Sequence, residues 1–212
     1  MKESDRPNTL PLPTIRRYPT YLREIKAMIS SGEVNISSAI LADKLGLDPV
    51  LTRKDLAMVG IPGRPRIGYP AQALVAAMTH VLGWDNVTDA ALVGVGSLGQ
   101  ALLGYTGFEE HNLSISVAFD SDPMKTDSEI RGVKVRPMQE LPDLVHRLNL
   151  KLGILTVPKS AAQTCANALI AADIRGIWNF TSAQLEVPAG VIVQNVDLAE
   201  SLAVLSHAIA VA

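Results

Sequence analysis

Cysteine is nearly absent. Cys165 is the only one in 212 residues, which excludes an intrachain disulfide and a cysteine-based metal cluster. Set in the stretch SAAQTCANALIAA, it reads as a small buried filler rather than a redox thiol. Long apolar runs are missing as well: none reaches the ~18 residues that a bilayer-spanning helix needs. The opening MKESDRPNTLPLPT also lacks the apolar core of a signal peptide. These absences argue against a membrane partner and for a cytoplasmic location. Histidine is scarce, and His80, within an apolar helical stretch, has no metal-type residue three or four positions on. No metal site is expected.

What is present is apolar and unevenly charged. At 48% hydrophobic residues with positive mean hydropathy, the chain can bury one sizeable core or two small ones. Residues 1–70 hold 11 Lys/Arg against 7 Asp/Glu, and residues 71–212 hold 8 against 14, so a net charge of −2 conceals +4 followed by −6. A basic first third and an acidic remainder suggest two modules, the first suited to a polyanion.

Residues 1–16 show no periodicity and read as a flexible tail. From Arg17, the apolar residues Tyr18, Leu22, Ile25 and Ile29 recur at helical spacing until Gly32. The next stretch, NISSAILADKLGLDPVLTRKDLAMVG, reads as two short helices. Ser37 or Ser38 caps the first, Gly46 ends it, and Asp48-Pro49 opens the second. Helix, tight turn and a second helix bearing Arg53 and Lys54 have the form of a helix-turn-helix, with an ordinary helical pair as the alternative. GIPGRPRIGYP cannot sustain a helix, and it places Arg64 and Arg66 at the tip of a short hairpin, like the wing of a winged helix. An apolar helix over residues 70–84 closes a DNA-binding domain spanning 17–84.

Residues 85–196 read differently. DAALVGVG is a continuous apolar run suited to a strand buried on both faces, and SLGQALLGY follows with helical spacing. Gly94, Gly96 and Gly99 lie in the spacing G-x-G-x-x-G of a dinucleotide fingerprint. Gly94 permits the tight turn, Gly96 the approach of a pyrophosphate, and Gly99 close helix–strand packing. The intervening Val95, Ser97 and Leu98 complete the loop, whose helix-terminal amides face the anion. Asp120 ends the next predicted strand, LSISVAFD, where a carboxylate binds both ribose hydroxyls and repels a 2′-phosphate, favouring NADH and NAD+. VKVRPM, LKLGILTVP, GIWNFTS and VIVQNV read as further strands. Helices over QELPDLVHRLN and SAAQTCANALIAADI fall between them. The class is α/β, a doubly wound parallel sheet that binds at strand carboxyl ends. Thr156, Val157, Pro158 and Asn179 occupy such ends and join the candidate cofactor contacts.

Residues 197–212 form a helix in which Leu198, Leu202, Leu205 and Ile209 make one seam, while alanines and Val204 extend the apolar character most of the way round. Such a helix must be buried on nearly every side. Packing into a partner chain, which makes the protein a homodimer, accounts for it; a helix lying flat on its own sheet is the alternative.

The stretches ISSAILADKLGLDPVLTRKDL, GYP, GVGSLGQALLGYTGF, AFDSDP, GIWNF and NVDLAESLAVLS together resemble the Rex family of redox-sensing transcriptional repressors. The resemblance covers nearly the whole chain from about Arg17. It implies an N-terminal winged helix-turn-helix domain, a Rossmann-fold domain, and a domain-swapped C-terminal helix. It further implies a homodimer that binds a palindromic operator duplex and releases it when NADH is bound. By the same resemblance, Lys54 and Arg64 contact DNA, Gly94 to Gly99 meet the pyrophosphate and Asp120 the ribose. Tyr105 and Asp197 lie near the nicotinamide and, with Arg17 of the partner's first helix, couple redox state to domain position. After RKDL the family usually has Ser-Tyr-Phe-Gly, whereas this chain has Ala57-Met58-Val59-Gly60, so an altered DNA target is one alternative. The other is a small NAD-dependent oxidoreductase. Against it, the histidines lie in predicted helices or at helix ends away from strand carboxyl ends, and little chain is left for a substrate domain.

Overall fold

Pro11 and Pro13, which give the N-terminus its aperiodic look, in fact start a helix. The computed structural model describes residues 10–211, without the side chains of Leu198 and Ser201. α1 runs from Leu12 to Ser30 rather than starting at Arg17, with proline in its first turn, where the missing N–H has no intrahelical partner to lose. The flexible reading of residues 12–16 is therefore corrected, while residues 1–9 of that tail lie outside the described residues. Tyr18, Tyr21, Leu22, Ile25 and Met28 form the buried face of α1.

β1 (Asn35–Ile36), α2 (Ser38–Leu45) and α3 (Pro49–Ala57) follow. Gly46 closes α2 at φ 63°, and the Asp48 carboxylate caps α3 by accepting the Leu51 N–H at 2.7 Å. β2 (Tyr69–Pro70) then pairs antiparallel with β1, and α4 (Ala71–Val81) completes the unit. The β1–β2 ladder was not foreseen, because two-residue strands leave no periodic signal. The expected wing hairpin is a single bridge, with reciprocal hydrogen bonds between Arg64 and Gly68 at 2.8 and 2.9 Å. Arg66 at its tip has φ 62°. The core gathers the α1 face with Ile36, Leu41, Leu56, Leu74 and Met78, and Trp84 packs against it.

The chain divides between Asn86 and Val87 into two compact units. The second unit contains β3 (Thr88–Val93), α5 (Ser97–Leu103), β4 (Leu113–Asp120), β5 (Glu129–Ile130), β6 (Val133–Pro137), α6 (Leu141–Arg147), β7 (Leu152–Leu155), α7 (Lys159–Ala171), β8 (Gly176–Asn179), β9 (Ile192–Asn195) and α8 (Leu198–Val211). Its seven strands lie in the order β5-β6-β4-β3-β7-β8-β9, parallel except for the β5–β6 pair. Without β5, this is the doubly wound order that leaves a crevice at the carboxyl ends of the central strands. β5 was not foreseen. It is a two-residue edge strand turned back by Arg131 and Gly132, which both have positive φ.

Alternate residues of β3 divide between two cores. Ala91 and Val93 pack with Phe119, Leu141, Val145, Ala166 and Leu169 on the side of α6 and α7. Ala90 and Leu92 pack with Ala118, Ile154, Leu102 and Leu103 on the side of α5. Cys165 is half-buried against the first core, and burial, followed by the charge of Asp120, pushes its thiol pKa up. It packs as a partly buried filler. Among the described residues, no helix is long and apolar enough to cross a membrane, and no cluster of His, Cys, Asp and Glu could hold a metal ion. α8 does not lie on its own sheet: Leu202, Leu205 and Ile209 are 61%, 57% and 69% exposed. The Leu198 side chain lies outside the described residues.

Candidate nucleotide site and nucleic-acid surface

The glycine turn between β3 and α5 is built around close backbone contacts. Gly94 has φ 97°, and a Cβ there would stand 2.7 Å from Val157 Cγ1 and 2.8 Å from the Thr156 carbonyl oxygen. A Cβ on Gly99 would collide with the Gly94 carbonyl oxygen. Around Gly96, by contrast, there is open space within 4 Å of where a Cβ would stand. Two glycines are thus demanded by packing, and the third leaves room beside the start of α5. Gly96 caps that helix without a side-chain hydrogen bond, so the amides of Ser97 and Leu98 are presented as a helix N-terminus is to an anion. These features fit a pyrophosphate.

Asp120, at the carboxyl end of β4, is only 8% exposed. Its Oδ2 accepts the Val95 N–H at 2.7 Å and the Lys125 ammonium at 3.2 Å, and its Oδ1 accepts the Asp122 N–H at 2.9 Å. Burial pushes the carboxyl pKa up, but the N–H groups of Asp122 and Val95, together with Lys125, outweigh it and hold the group below the usual carboxylate range. The carboxylate expected for a ribose is therefore ionised, with one acceptor position left on Oδ1. Lys125 was not singled out from the sequence.

Several residues expected at the cofactor also make contacts that build the site. The Val95 N–H is committed to Asp120, and its side chain is fully buried. The Thr156 hydroxyl donates to the Gly94 carbonyl at 2.6 Å, so it braces the glycine turn. Val157 packs beneath the same turn, and Pro158 stands at the N-cap of α7. Asn179 is fully buried with all four hydrogen-bonding positions used. Its Nδ2 donates to the Ala183 carbonyl at 2.9 Å and Asn195 Oδ1 at 2.8 Å, while its Oδ1 accepts from the Thr181 N–H at 3.0 Å and hydroxyl at 2.7 Å. Thr156 and Asn179 therefore hold the backbone around the site, Thr156 at the glycine turn and Asn179 in the loop after β8.

Asn179 fixes the loop after β8, which with Asn195 and Asp197 lines a cleft of about 450 Å³. Asp197 accepts the Ala199 N–H at 2.8 Å and so caps α8. Tyr105 stands at the far end of α5 from the glycine turn and is 58% exposed. It begins a row of ring contacts: Tyr105 to Phe108 at 4.9 Å, Phe108 to Trp178 at 5.7 Å, and Trp178 to Phe180 at 4.9 Å. The row joins the end of α5 to the carboxyl end of β8.

In the N-terminal unit, α3 exposes Arg53 and Lys54 and buries Thr52, Asp55 and Leu56. Arg53, Arg64 and Arg66, with Ser37 and Ser38, line a groove of about 460 Å³ beside the wing. Lys54 is not part of that lining. Asp55, which sequence reasoning missed, anchors the helix from behind. Its carboxylate accepts from Thr14 Oγ1 at 2.9 Å, Arg17 Nε at 2.6 Å, Arg17 Nη2 at 2.9 Å and Tyr21 Oη at 2.8 Å. Tyr18 Oη donates to the Asp55 carbonyl at 2.9 Å. Burial pushes Asp55 up, yet the hydrogen bonds from Arg17, Tyr21 and Thr14 leave it below its ordinary value, while burial pushes Tyr18 up to about 12. Arg17, expected at a coupling contact, is thus held by Asp55 of its own domain.

Comparisons with known proteins agree with this two-part architecture. A family profile described as "CoA binding domain" matches residues 85–183, and one described as "Putative DNA-binding protein N-terminus" matches residues 9–57. A protein of Treponema denticola named redox-sensing transcriptional repressor Rex is 44% identical over 91% of this chain and 92% of its own length. Another of that name, from Rhodopirellula baltica, is 38% identical over 98% and 87%. Among solved structures, RSP, a Rex-family repressor, in complex with β-NAD+ and operator DNA matches with a TM-score of 0.89 at 34% identity, covering 96% of this chain and 94% of that one. Its complex with β-NADH matches with 0.86 at 33% identity, covering 96% and 95%.

Proposed function

The chain belongs to the Rex family of redox-sensing transcriptional repressors, and from that premise we propose that it grips operator DNA through its N-terminal domain and releases it when NADH fills the Rossmann domain. The observation that carries the reading is one chain with both halves of the device. One half is a glycine turn open at Gly96 beside an ionised Asp120; the other is a recognition helix whose Arg53 and Lys54 face outward. Its relatives over most of its length are named repressors, so the protein is a regulator and the oxidoreductase alternative falls away.

Residue by residue, the pyrophosphate rests on the amides of Ser97 and Leu98 beside Gly96, and Asp120 takes the adenosine ribose. Thr156, Val157 and Asn179 hold the surrounding backbone in place. Arg53, Lys54, Arg64 and Arg66 meet phosphates and base edges. The exposed apolar α8 packs into a second copy, which makes the protein a homodimer suited to a palindromic duplex. Tyr105, Asp197 and Arg17 carry the coupling. A regulator of this kind works where its operator is, in the cytoplasm.

The decisive measurement is anisotropy of a fluorescent duplex, selected from a random pool by the full chain with NAD+ present, titrated with protein at several NADH concentrations. Affinity should fall as NADH rises, and by linkage the duplex should weaken NADH by the same factor. Duplex affinity indifferent to NADH would overturn the reading.

A further inference from the structure

The exposed face of α3 is mixed, with cations in the middle and apolar residues on either side. Val50, Arg53, Lys54 and Ala57 recur at i, i+3, i+4 and i+7, one stripe opposite the buried Thr52, Asp55 and Leu56. The hydrogen bonds converging on Asp55 fix the rotation of the helix that presents this stripe. Val50 is 50% exposed and Leu51 37%. Single exposed apolar side chains are ordinary on a protein surface, but these occupy the first turn of a recognition helix, the part that reaches base edges. The one polar side chain at the exposed start of the helix, Asp48, caps it by accepting the Leu51 N–H and can only accept, so the turn offers no side-chain donor beside Val50 and Leu51. Within the major groove, the apolar feature that distinguishes one base pair from another is the thymine 5-methyl group.

We propose that Val50 is a specificity-determining residue that reads a thymine methyl group in each half-site, beside the base contacted by Arg53 or Lys54. The inference rests on the operator-binding function proposed above and adds which chemistry the leading turn selects. Charge complementarity draws the stripe to DNA, and the methyl group fills the apolar contact that remains once Arg53 and Lys54 are engaged. Polar readout at that position is ruled out by the side chains themselves: neither Val50 nor Leu51 has a donor or an acceptor.

The test uses the full-length chain and the duplex it enriches from a random pool in the presence of NAD+. Each thymine of that duplex is replaced singly by deoxyuridine, which removes the methyl group and nothing else. One position per half-site should lose about fourfold in affinity, the worth of one buried methyl-sized group. Val50→Ala, an exposed substitution that should leave the melting temperature unchanged, should erase the thymine/deoxyuridine difference at that position. It should keep the salt dependence set by the cations. If every deoxyuridine is tolerated, or if the difference persists in Val50→Ala, the proposal is overturned while operator binding stands. If no duplex is enriched and no salt-dependent binding is seen, the operator-binding function falls and takes the proposal with it.

Discussion

Replacing Asp120 by alanine should separate NADH from NADPH, and the structure sets the size of the effect. Oδ1 has one acceptor position free for a ribose hydroxyl, and a hydrogen bond to a carboxylate contributes roughly 1.5–3 kcal/mol. A second bond needs Lys125 to leave Oδ2, which gives up a partly exposed ion pair worth at most about 1 kcal/mol. The net loss on substitution is then about 3 kcal/mol, or roughly 100-fold in NADH affinity. NADPH is the internal control, because it shares the pyrophosphate and therefore shares any disturbance of the glycine turn. It never gained from the carboxylate, and in the variant Lys125 is released to pair with its 2′-phosphate. Calorimetric titration of both nucleotides should show the NADH/NADPH preference falling by about 100-fold or more, and Lys125→Ala in the same background should reverse the NADPH gain. Equal losses for both nucleotides would refute the assignment of Asp120 to the ribose.

Further expectations concern the scaffold, the wing and the terminus. Gly99→Ala forces α5 away from the Gly94 carbonyl; overpacking of about 1–3 kcal/mol should lower the melting temperature by several degrees, and NADH should no longer stabilise the variant in thermal melts. Asp55→Asn breaks the pair with Arg17, whose side chain is 23% exposed. The cost should therefore be roughly 2–3 kcal/mol, short of the 3–5 typical of a fully buried pair, read from denaturant unfolding. Because the folded pKa of Asp55 is depressed, its contribution is fully present above about pH 4 and is lost as the pH falls through the folded value. The wild type minus Asp55→Asn stability difference should therefore shrink in acid and stay flat toward neutrality. Arg64→Ala with Arg66→Ala should lower the slope of log affinity against log salt by about 0.9 for each phosphate that the wing no longer neutralises. Truncation after Asp197 removes the exposed seam of α8 and should yield a monomer in analytical sedimentation.

Legibility in the sequence followed the range of the interactions. The glycine turn and Asp120 could be read because strand, turn, helix and strand follow one another in the chain, and each glycine answers a local backbone demand. Residues 14, 17, 18 and 21, spaced as one polar helix face, also carried a signal. It was hidden because Pro11 and Pro13 made the stretch before Arg17 look aperiodic, and because their common partner, Asp55, lies in another helix. The bracing contacts of Thr156 and Asn179 were not legible for a related reason. Their places at strand carboxyl ends are legible, but whether a hydroxyl or amide faces a ligand or its own backbone depends on loops whose course no periodicity records. Lys125 and the β5–β6 edge were missed because two-residue strands and tight turns leave almost no pattern. The C-terminal helix was legible because its apolar residues could not all be covered by one domain.

Each of the two units carries its own intrinsic fluorophore. The chain has two tryptophans: Trp84 packs against the core of the winged-helix unit, and Trp178 sits in the row of rings that ends at the carboxyl edge of β8. Exchanging either for phenylalanine gives a protein whose indole emission comes from one unit alone. Reduced nicotinamide absorbs where indole emits, so Trp178 serves as an energy-transfer donor to a nucleotide bound in its own unit. Trp84 reports on the unit that carries the wing and α3. The order of events during induction, nucleotide arrival first or operator departure first, thereby becomes a stopped-flow measurement on unlabelled protein.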